Sequence, residues 1–252
     1  MLVTPLKTKK VVPGDTIEAV LDSAIPTLAE QSVVVISAKV VAIAEGRVVK
    51  NDGTVDKKDL VAQEAEYFIL NKDFYAKNKT VLTIKENIFV PSAGIDESNG
   101  NGYFILWPKN PMQSAKKIWQ YLREKHHVQH LGVVLSDSYF TPLRRGSVGV
   151  GIAWCGMRPT TNYIGKPDIF GEPLKYTTAG RIDGLAAAAE VAMGEGDEQT
   201  PLALLTDVPF VEFVDAPPTQ EEIAFMHIAK EDDSYGLLLN AVAWEKGHKS
   251  SS

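Results

Sequence analysis

The chain has 252 residues, 44% of them hydrophobic and 23% charged, which is ordinary for one globular domain or two small ones. The net charge of -6 and the isoelectric point near 5.4 argue against a nucleic-acid-binding protein, which would usually present a basic face. A single cysteine, Cys155, excludes an intrachain disulfide and a thiolate metal cage. Because no apolar leader or run of about 18 residues is found, we expect a cytoplasmic protein without a membrane partner.

The first part of the chain predicts short helices and strands in alternation. A helix is expected from Thr16 to Ala24, with Asp15 or Thr16 as its N-cap. The apolar run at residues 32–37 is typical of a buried strand, and Asp52-Gly53 favours a tight turn. The spacing of apolar residues then predicts a helix from Lys57 to Leu70.

Two further apolar runs, at residues 81–90 and 131–136, are each followed by an acid. Asp96 lies in the polar turn after the first run, and Asp137 with Ser138 ends the second. Two carboxylates at strand ends, beside hydroxyl and amide groups, suit a hard-cation site for phosphate chemistry. The alternative is that each aspartate only caps the backbone of its own turn.

The later elements complete a mixed pattern. A strand at residues 103–107 stops before Pro108, a helix follows from Pro111 to Lys125, and a glycine-spaced apolar run extends from Val148 to Cys155. An alanine-rich helix from Gly184 ends at Gly194, and Thr219 with Glu222 forms a capping box for a helix through Ala229. No glycine fingerprint follows the first strand, so a dinucleotide fold is disfavoured and we predict an α+β fold.

The domain organisation follows from the same pass along the chain. We predict one domain over residues 1–245, with a subdomain boundary conceivable near 71–80 or 196–200. Residues 246–252 are expected to form a disordered tail.

A third acid and a pair of arginines are further candidates for chemistry. Glu195 follows the alanine-rich helix and is either a solvated loop residue or a partner of Asp96 and Asp137 at one or two Mg²⁺ or Mn²⁺ ions. Arg144 and Arg145 are adjacent, so at most one would face such a site, where its planar fork would suit phosphate or carboxylate. A surface pair is the alternative. The glycines at 146, 149 and 151 lack a P-loop lysine and are assigned to packing.

Five segments together resemble one known family. They are residues 44–47 (AEGR), 93–99 (AGIDESN), 137–146 (DSYFTPLRRG), 163–171 (YIGKPDIFG) and 187–195 (AAAEVAMGE). Their sequence and order resemble the coenzyme F420-0:γ-glutamyl ligase family over nearly the whole chain.

The resemblance implies a ligase that uses GTP, or ATP, to join the amine of L-glutamate to a carboxylate of an acceptor cofactor through an acyl phosphate. It also implies a mixed-sheet α+β fold and an intertwined homodimer. Two Mg²⁺ or Mn²⁺ ions are implied at Asp96, Asp137, Ser138 and Glu195, and Arg144 and Arg145 are the expected catalytic cations. The implied nucleotide-binding positions are Lys9, Lys10, Val11, Ala38, Lys39, Asn99, Met193, Gly194, Gly196, Asp197 and Glu198.

Departures from the family pattern leave the substrate open. Ala42-Ile43 stand where family members commonly have Ser-Lys, a nucleotide contact, and a basic segment at residues 7–10 replaces Gly-Leu-Pro. The acceptor is therefore F420-0 or a related carboxylate, with dihydrofolate or tetrahydrofolate as the alternative. A non-catalytic nucleotide- or cofactor-binding protein and a metal-dependent phosphatase are the alternatives from other classes.

Overall fold

The computed structural model describes residues 1–248. The helices in this part of the chain are α1 (Ile17–Ala24), α2 (Ala38–Ala44), α3 (Lys57–Glu64), α4 (Lys72–Asn78), α5 (Pro111–His126), α6 (Ile182–Met193), α7 (Gln220–Phe225) and α8 (Gly236–Leu239). The strands are β1 (Leu2–Leu6), β2 (Ser32–Ser37), β3 (Val48–Lys50), β4 (Tyr67–Ile69), β5 (Leu82–Lys85), β6 (Ile88–Pro91), β7 (Tyr103–Ile105), β8 (Leu131–Phe140), β9 (Ser147–Cys155), β10 (Thr160–Asn162), β11 (Thr178–Gly180), β12 (Leu202–Thr206) and β13 (Glu245–Lys246).

A five-stranded mixed sheet forms the larger core. Its strand order is β1-β12-β2-β8-β9, and β2 and β8 are parallel while the other pairs are antiparallel. Alternate residues of β2 face opposite layers: Val34 and Ile36 pack with α1 and α5, and Val33 and Val35 pack with α6. The continuous apolar run in β2 is explained by burial of both its faces. The predicted α+β fold with a mixed sheet is confirmed.

The helices that cover this sheet begin and end close to the predicted positions. Thr16 caps α1 by accepting a hydrogen bond from the backbone N–H of Ala19. The apolar face predicted for α5 is buried, including Ile118 and Leu122. Helix α6 ends at Gly194, whose φ is 72°.

A smaller antiparallel sheet, β13-β4-β5-β6, lies with α3 around a second core. Here the predicted helix from Lys57 to Leu70 is wrong in its second half, because α3 ends at Glu64 and residues 67–69 form β4. Ala65 is extended, and β4 pairs with both β5 and β13. Strand pairing on both edges of β4 and the burial of Phe68 stabilise the extended conformation of residues 67–69. The helical spacing of apolar residues therefore applies only as far as the end of α3. The helix predicted through Ala229 likewise ends earlier, at Phe225.

The positions considered as boundaries fall within structured parts of the chain. Residues 71–80 contain α4, and 196–200 connect α6 to β12, which pack on each other. The chain also remains ordered past residue 245, since Lys246 pairs with Tyr67 and the N–H of His248 donates to the Ala62 carbonyl. Residues 249–252 of the predicted tail lie outside the described residues. Across residues 1–248, no helix is both long enough and apolar enough to cross a bilayer.

Candidate functional site

A cavity of about 880 Å³ opens where the parallel pairing of β2 and β8 ends. It brings together residues from the amino-terminal segment, the Asp96 turn, β8 and the loop after α6. The predicted site residues that line it are Lys9, Lys10, Val11, Lys39, Asp96, Asn99, Asp137, Ser138, Met193, Gly194, Glu195, Gly196, Asp197 and Glu198. Ligands of open α/β sheets commonly bind at the carboxyl ends of the strands, and this cavity occupies such a position.

Three of the predicted site residues do not line the cavity. Arg144 and Arg145 are exposed in the turn between β8 and β9. The structure therefore does not bring them together with the acids within one chain. Ala38 is buried as the first residue of α2, and its neighbours Ser37 and Lys39 form the cavity wall instead.

Asp137 lies inside a strand, which corrects its prediction as a strand end. The pairing of β8 with β2 stops at Ser136, but β8 continues to Phe140 as a hairpin with β9. A bulge between Leu135 and Ser136 precedes the aspartate, and bulges re-aim the side chains that follow them. Asp137 therefore lies at the point where β8 is no longer paired with β2 and is paired only with β9.

Asp137 is half-buried, and an indole holds its carboxyl group. Trp107 Nε1 donates to Asp137 Oδ2 over 2.6 Å. Burial raises the pKa of Asp137 to about 6, and the negative charge of Asp96 acts in the same direction against the Trp107 hydrogen bond. A buried carboxylate whose pKa is raised in this way favours a cation or a proton nearby.

Asp96 is both a turn cap and half of an ion pair. Its Oδ1 accepts from the backbone N–H groups of Glu97 (2.6 Å) and Ser98 (2.8 Å), so the capping interpretation is confirmed. Its Oδ2 lies 2.6 Å from Lys39 Nζ, which also donates to Ser98 Oγ. Burial opposes ionisation, but Lys39 and Ser98 outweigh it and lower the pKa of Asp96. Lys39 is thus the cation closest to the predicted metal ligands.

Glu195 is paired with a second glutamate, Glu190 of α6, that sequence analysis did not include among the site residues. Burial and the neighbouring Glu195 raise the pKa of Glu190 to about 8. The hydrogen bond from Glu190 correspondingly lowers the pKa of Glu195, which also accepts from Ser147 Oγ over 2.8 Å. Two carboxyl groups in contact either share a proton or are bridged by a cation.

The donor set fits a hard divalent cation, although not as one cluster of three acids. In residues 1–248, no three His, Cys, Asp or Glu side chains are grouped closely enough to hold one ion. The acids instead form two sets that line the cavity: Asp96 and Asp137, where the charge of Asp96 contributes to the raised pKa of Asp137, and Glu190 and Glu195, which act on each other more strongly. Glu190 Oε1 is buried without a hydrogen-bond partner among the described residues. Mg²⁺ is typically held by one or two carboxylates plus substrate phosphates, and paired oxygen donors meet that requirement.

The loop after α6 is tied to the Asp96 turn. Asn99 Nδ2 donates to the Gly196 carbonyl over 3.0 Å, and Glu198 accepts from the Gly196 N–H over 2.8 Å. The amino-terminal segment adjoins the same loop, since the Thr8 N–H donates to the Gln199 carbonyl over 2.9 Å, and the neighbouring Lys9 ammonium is paired with Asp15 at 2.6 Å. The three segments that carry most of the predicted nucleotide positions are therefore connected by hydrogen bonds beside the cavity.

The departure at Ile43 has a visible consequence. Ile43 lines the cavity beside Val11 and Val40, so this wall is apolar where the family resemblance implies a lysine. Lys39, one turn earlier on α2, is engaged with Asp96.

Two residues of the site were not identified from the sequence. Trp107 was assigned only to a strand, although a buried indole N–H usually requires a partner. Glu190 follows buried Ala189 on α6, and its position next to the apolar face of the helix was the available signal.

The packing assignment of the glycines is confirmed for Gly149 and Gly151, where an added Cβ would lie 2.5 Å from the Ala186 carbonyl oxygen and 2.9 Å from Ile182 Cβ. This close approach of β9 and α6 brings Glu190 to the cavity. The packing assignment is wrong for Gly146, where an added Cβ would meet nothing within 4 Å and the φ of 101° is the reason for glycine.

Comparison with known proteins gives a consistent result. The profile of the family "F420-0:Gamma-glutamyl ligase" matches residues 5–207. A "Coenzyme F420:L-glutamate ligase" of Methanopyrus kandleri is 33% identical over 215 residues, covering 78% of this chain and 82% of the relative. Proteins of the same name from Methanocaldococcus jannaschii and Methanococcus maripaludis strain C6 are 31% and 32% identical, covering 71% and 68% of this chain and 77% and 76% of the relatives. The chain belongs to the F420-0:γ-glutamyl ligase family.

Proposed function

We propose that this protein is a nucleotide- and divalent-metal-dependent ligase that joins the amine of L-glutamate to a carboxylate of F420-0 or a related acceptor. The observation that carries the proposal is the cavity of about 880 Å³, which is lined by four carboxylates (Asp96, Asp137, Glu190 and Glu195) and three lysines (Lys9, Lys10 and Lys39). Family membership and the printed names of the relatives support the same reaction class.

The chemistry requires activation of a carboxylate that is itself a poor electrophile. We propose that an acceptor carboxylate oxygen attacks the γ-phosphorus of GTP or ATP, which breaks the bond to the nucleoside diphosphate and forms an acyl phosphate. The glutamate amine then attacks the acyl carbon, loses a proton and displaces inorganic phosphate. Catalysis of phosphoryl transfer is mostly positioning and charge compensation.

The side chains of the cavity are suited to that compensation. Divalent cations bound at the Asp96–Asp137 and Glu190–Glu195 pairs would screen the approach of a carboxylate to a triphosphate. Lys39 and Lys10 supply the chain's own positive charge at the cavity wall. The Asn99 link holds the Gly196 loop against the Asp96 turn, which would keep the nucleotide and the metal ligands in a fixed relation.

A folate acceptor is the second candidate. The apolar wall at Ile43, Val11 and Val40 changes the surface that the family resemblance assigns to the nucleotide. This difference favours testing dihydrofolate and tetrahydrofolate alongside F420-0, and ATP alongside GTP.

Mass spectrometry of acceptor panels tests the proposal. Purified protein is incubated with L-glutamate, Mn²⁺, GTP or ATP, and each acceptor in turn. We expect one acceptor to gain one glutamyl residue with release of nucleoside diphosphate. Phosphate release without any glutamyl gain would favour the phosphatase alternative, and nucleotide binding without turnover would favour a binding protein.

We also propose that the chain forms a homodimer. In the loop between β10 and β11, Ile169 and Phe170 are 92% and 84% exposed to solvent, and large exposed apolar side chains of this kind are typical of interfaces. Light scattering coupled to size-exclusion chromatography would give twice the 27.5 kDa chain mass if a second copy covers this loop. A monomer at all concentrations would contradict the proposal.

A further inference from the structure

Trp107 is a buried residue that contacts a side chain of the cavity. Its side chain is 2% exposed, and its indole N–H donates to Asp137 Oδ2 over 2.6 Å. The acceptor oxygen belongs to a carboxylate that lines the cavity. An N–H that holds one carboxylate oxygen restricts the orientation of the whole carboxylate group.

The glycine of the Asp96 turn makes room for this indole. A Cβ added to Gly94 would lie 2.0 Å from Trp107 Nε1, which is closer than real Cβ contacts come. Gly94 also has a φ of 69°, a conformation that glycine adopts readily. The turn that supplies Asp96 therefore lies directly against the side chain that holds Asp137.

A partly buried charge network contacts the ring and the carbonyl of Trp107. Lys85 Nζ lies 5.2 Å from the centre of the Trp107 ring, and Arg47 Nε donates to the Trp107 carbonyl over 3.0 Å. Glu64 pairs with both cations, at 2.7 Å to Arg47 and 2.8 Å to Lys85.

This network has no direct access to the site. Lys85 is only 7% exposed, and neither it, Glu64 nor Arg47 lines the cavity. Ion pairs at the surface or partly removed from solvent contribute little to stability compared with apolar packing, so their placement around one tryptophan calls for another explanation.

We propose that Trp107 is a positioning residue that sets the orientation of Asp137 and its spacing from Asp96. The indole N–H holds Asp137, while the close contact with Gly94 fixes the Asp96 turn against the same ring. The Arg47–Glu64–Lys85 network keeps the ring in place. The proposal rests on the proposed function in taking Asp96 and Asp137 as ligands of a divalent cation.

The test compares Trp107→Phe with Trp119→Phe. Trp119 is a matched control because it is also buried, donates from Nε1 to the Leu131 carbonyl over 2.8 Å, and lies against a glycine, Gly156. Mn²⁺ binding without nucleotide is measured by the electron paramagnetic resonance signal of the free ion, and folding of each variant is checked by urea unfolding. Loss of a residue that orients a ligand typically weakens metal affinity by about 10- to 100-fold. We expect that increase in Kd for Trp107→Phe and little change for Trp119→Phe.

A second measurement uses the wild-type protein and is informative even if Trp107→Phe does not fold. In wild-type protein with ¹⁵N-labelled indoles, substoichiometric Mn²⁺ should broaden the Trp107 N–H resonance while that of Trp119 stays sharp. If the wild type binds no Mn²⁺, the proposed metal site fails. If it binds Mn²⁺ but Trp107→Phe has the wild-type Kd, the positioning role is overturned while the metal site stands. If the Trp107 resonance stays sharp while Mn²⁺ binds, the ion is not held by Asp137, and both the positioning role and the metal site at Asp137 are overturned.

Discussion

Replacement of Gly94 by alanine is expected to be unusually destabilising, and Gly46 provides a matched control. Both glycines have a φ of 69°, but an added Cβ meets nothing within 4 Å at Gly46 and lies 2.0 Å from Trp107 Nε1 at Gly94. The left-handed conformation costs alanine about 1–2 kcal/mol at either position. The reduced entropy of the unfolded chain is also common to both variants.

The difference between the two variants therefore measures the contact with the indole. Overpacking of a filled core typically costs about 1–3 kcal/mol. A shift of the ring also weakens its hydrogen bond to a charged acceptor, which is worth about 1.5–3 kcal/mol. We expect Gly94→Ala to be less stable than Gly46→Ala by roughly 2–4 kcal/mol.

Equilibrium unfolding in urea, followed by circular dichroism, gives the free energies. The slope of the transition should be the same in both variants, so that a shift in midpoint reports stability alone. Equal stability of Gly94→Ala and Gly46→Ala would show that the ring does not fill the space beside the turn, and would refute the reasoning.

Three further predictions concern the site and its surroundings. Asp137→Asn keeps the side-chain volume but loses the charge. Loss of a residue that only supports a metal ligand lowers activity by about 10- to 100-fold, so loss of a ligand should lower turnover by more than about 100-fold, as measured by release of nucleoside diphosphate. The exposed control Asp52→Asn should retain turnover. Cys155 is buried and its pKa is raised by burial to about 12, so the native protein should not react with a thiol reagent until it is unfolded; rapid native reaction would contradict this. Arg145→Gln lies in an exposed turn and should change stability by no more than about 0.5 kcal/mol and leave turnover intact; loss of turnover in the folded variant would restore the catalytic interpretation.

The sequence predicted the elements whose local signals agree with their packing. In α5, the apolar spacing, the Asn110 cap and Pro111 at the first turn all indicate the same helix. The strand β2 was predictable because a short apolar run is typical of a strand buried on both faces. The helix predicted through Leu70 was wrong because residues 67–69 pair with β5 and β13 instead. These partners lie elsewhere in the sequence, so the apolar spacing of residues 57–70 alone could not reveal the pairing.

The convergence of residues on one cavity was predictable where a motif carries the lining residue itself. Asp96, Asp137 and Glu195 all line one cavity, as their motifs indicated. Trp107 and Glu190 were missed because their importance depends on contacts across the fold, to Asp137 and Glu195. Arg144 and Arg145 were predicted from their residue type and from the family resemblance, but they lie in the exposed turn between β8 and β9 and do not line the cavity.

The most direct test of ligation through an acyl phosphate follows ¹⁸O from the carboxylate of the acceptor. An acceptor with an ¹⁸O-labelled carboxylate is incubated with the protein, L-glutamate, Mn²⁺ and the nucleotide. An acyl phosphate transfers one carboxylate oxygen to the phosphate that the glutamate amine displaces. We expect one ¹⁸O atom in the released phosphate for each glutamyl residue gained. Glutamyl gain with unlabelled phosphate would contradict the acyl-phosphate route, and the absence of any gain with every acceptor would contradict the ligase itself.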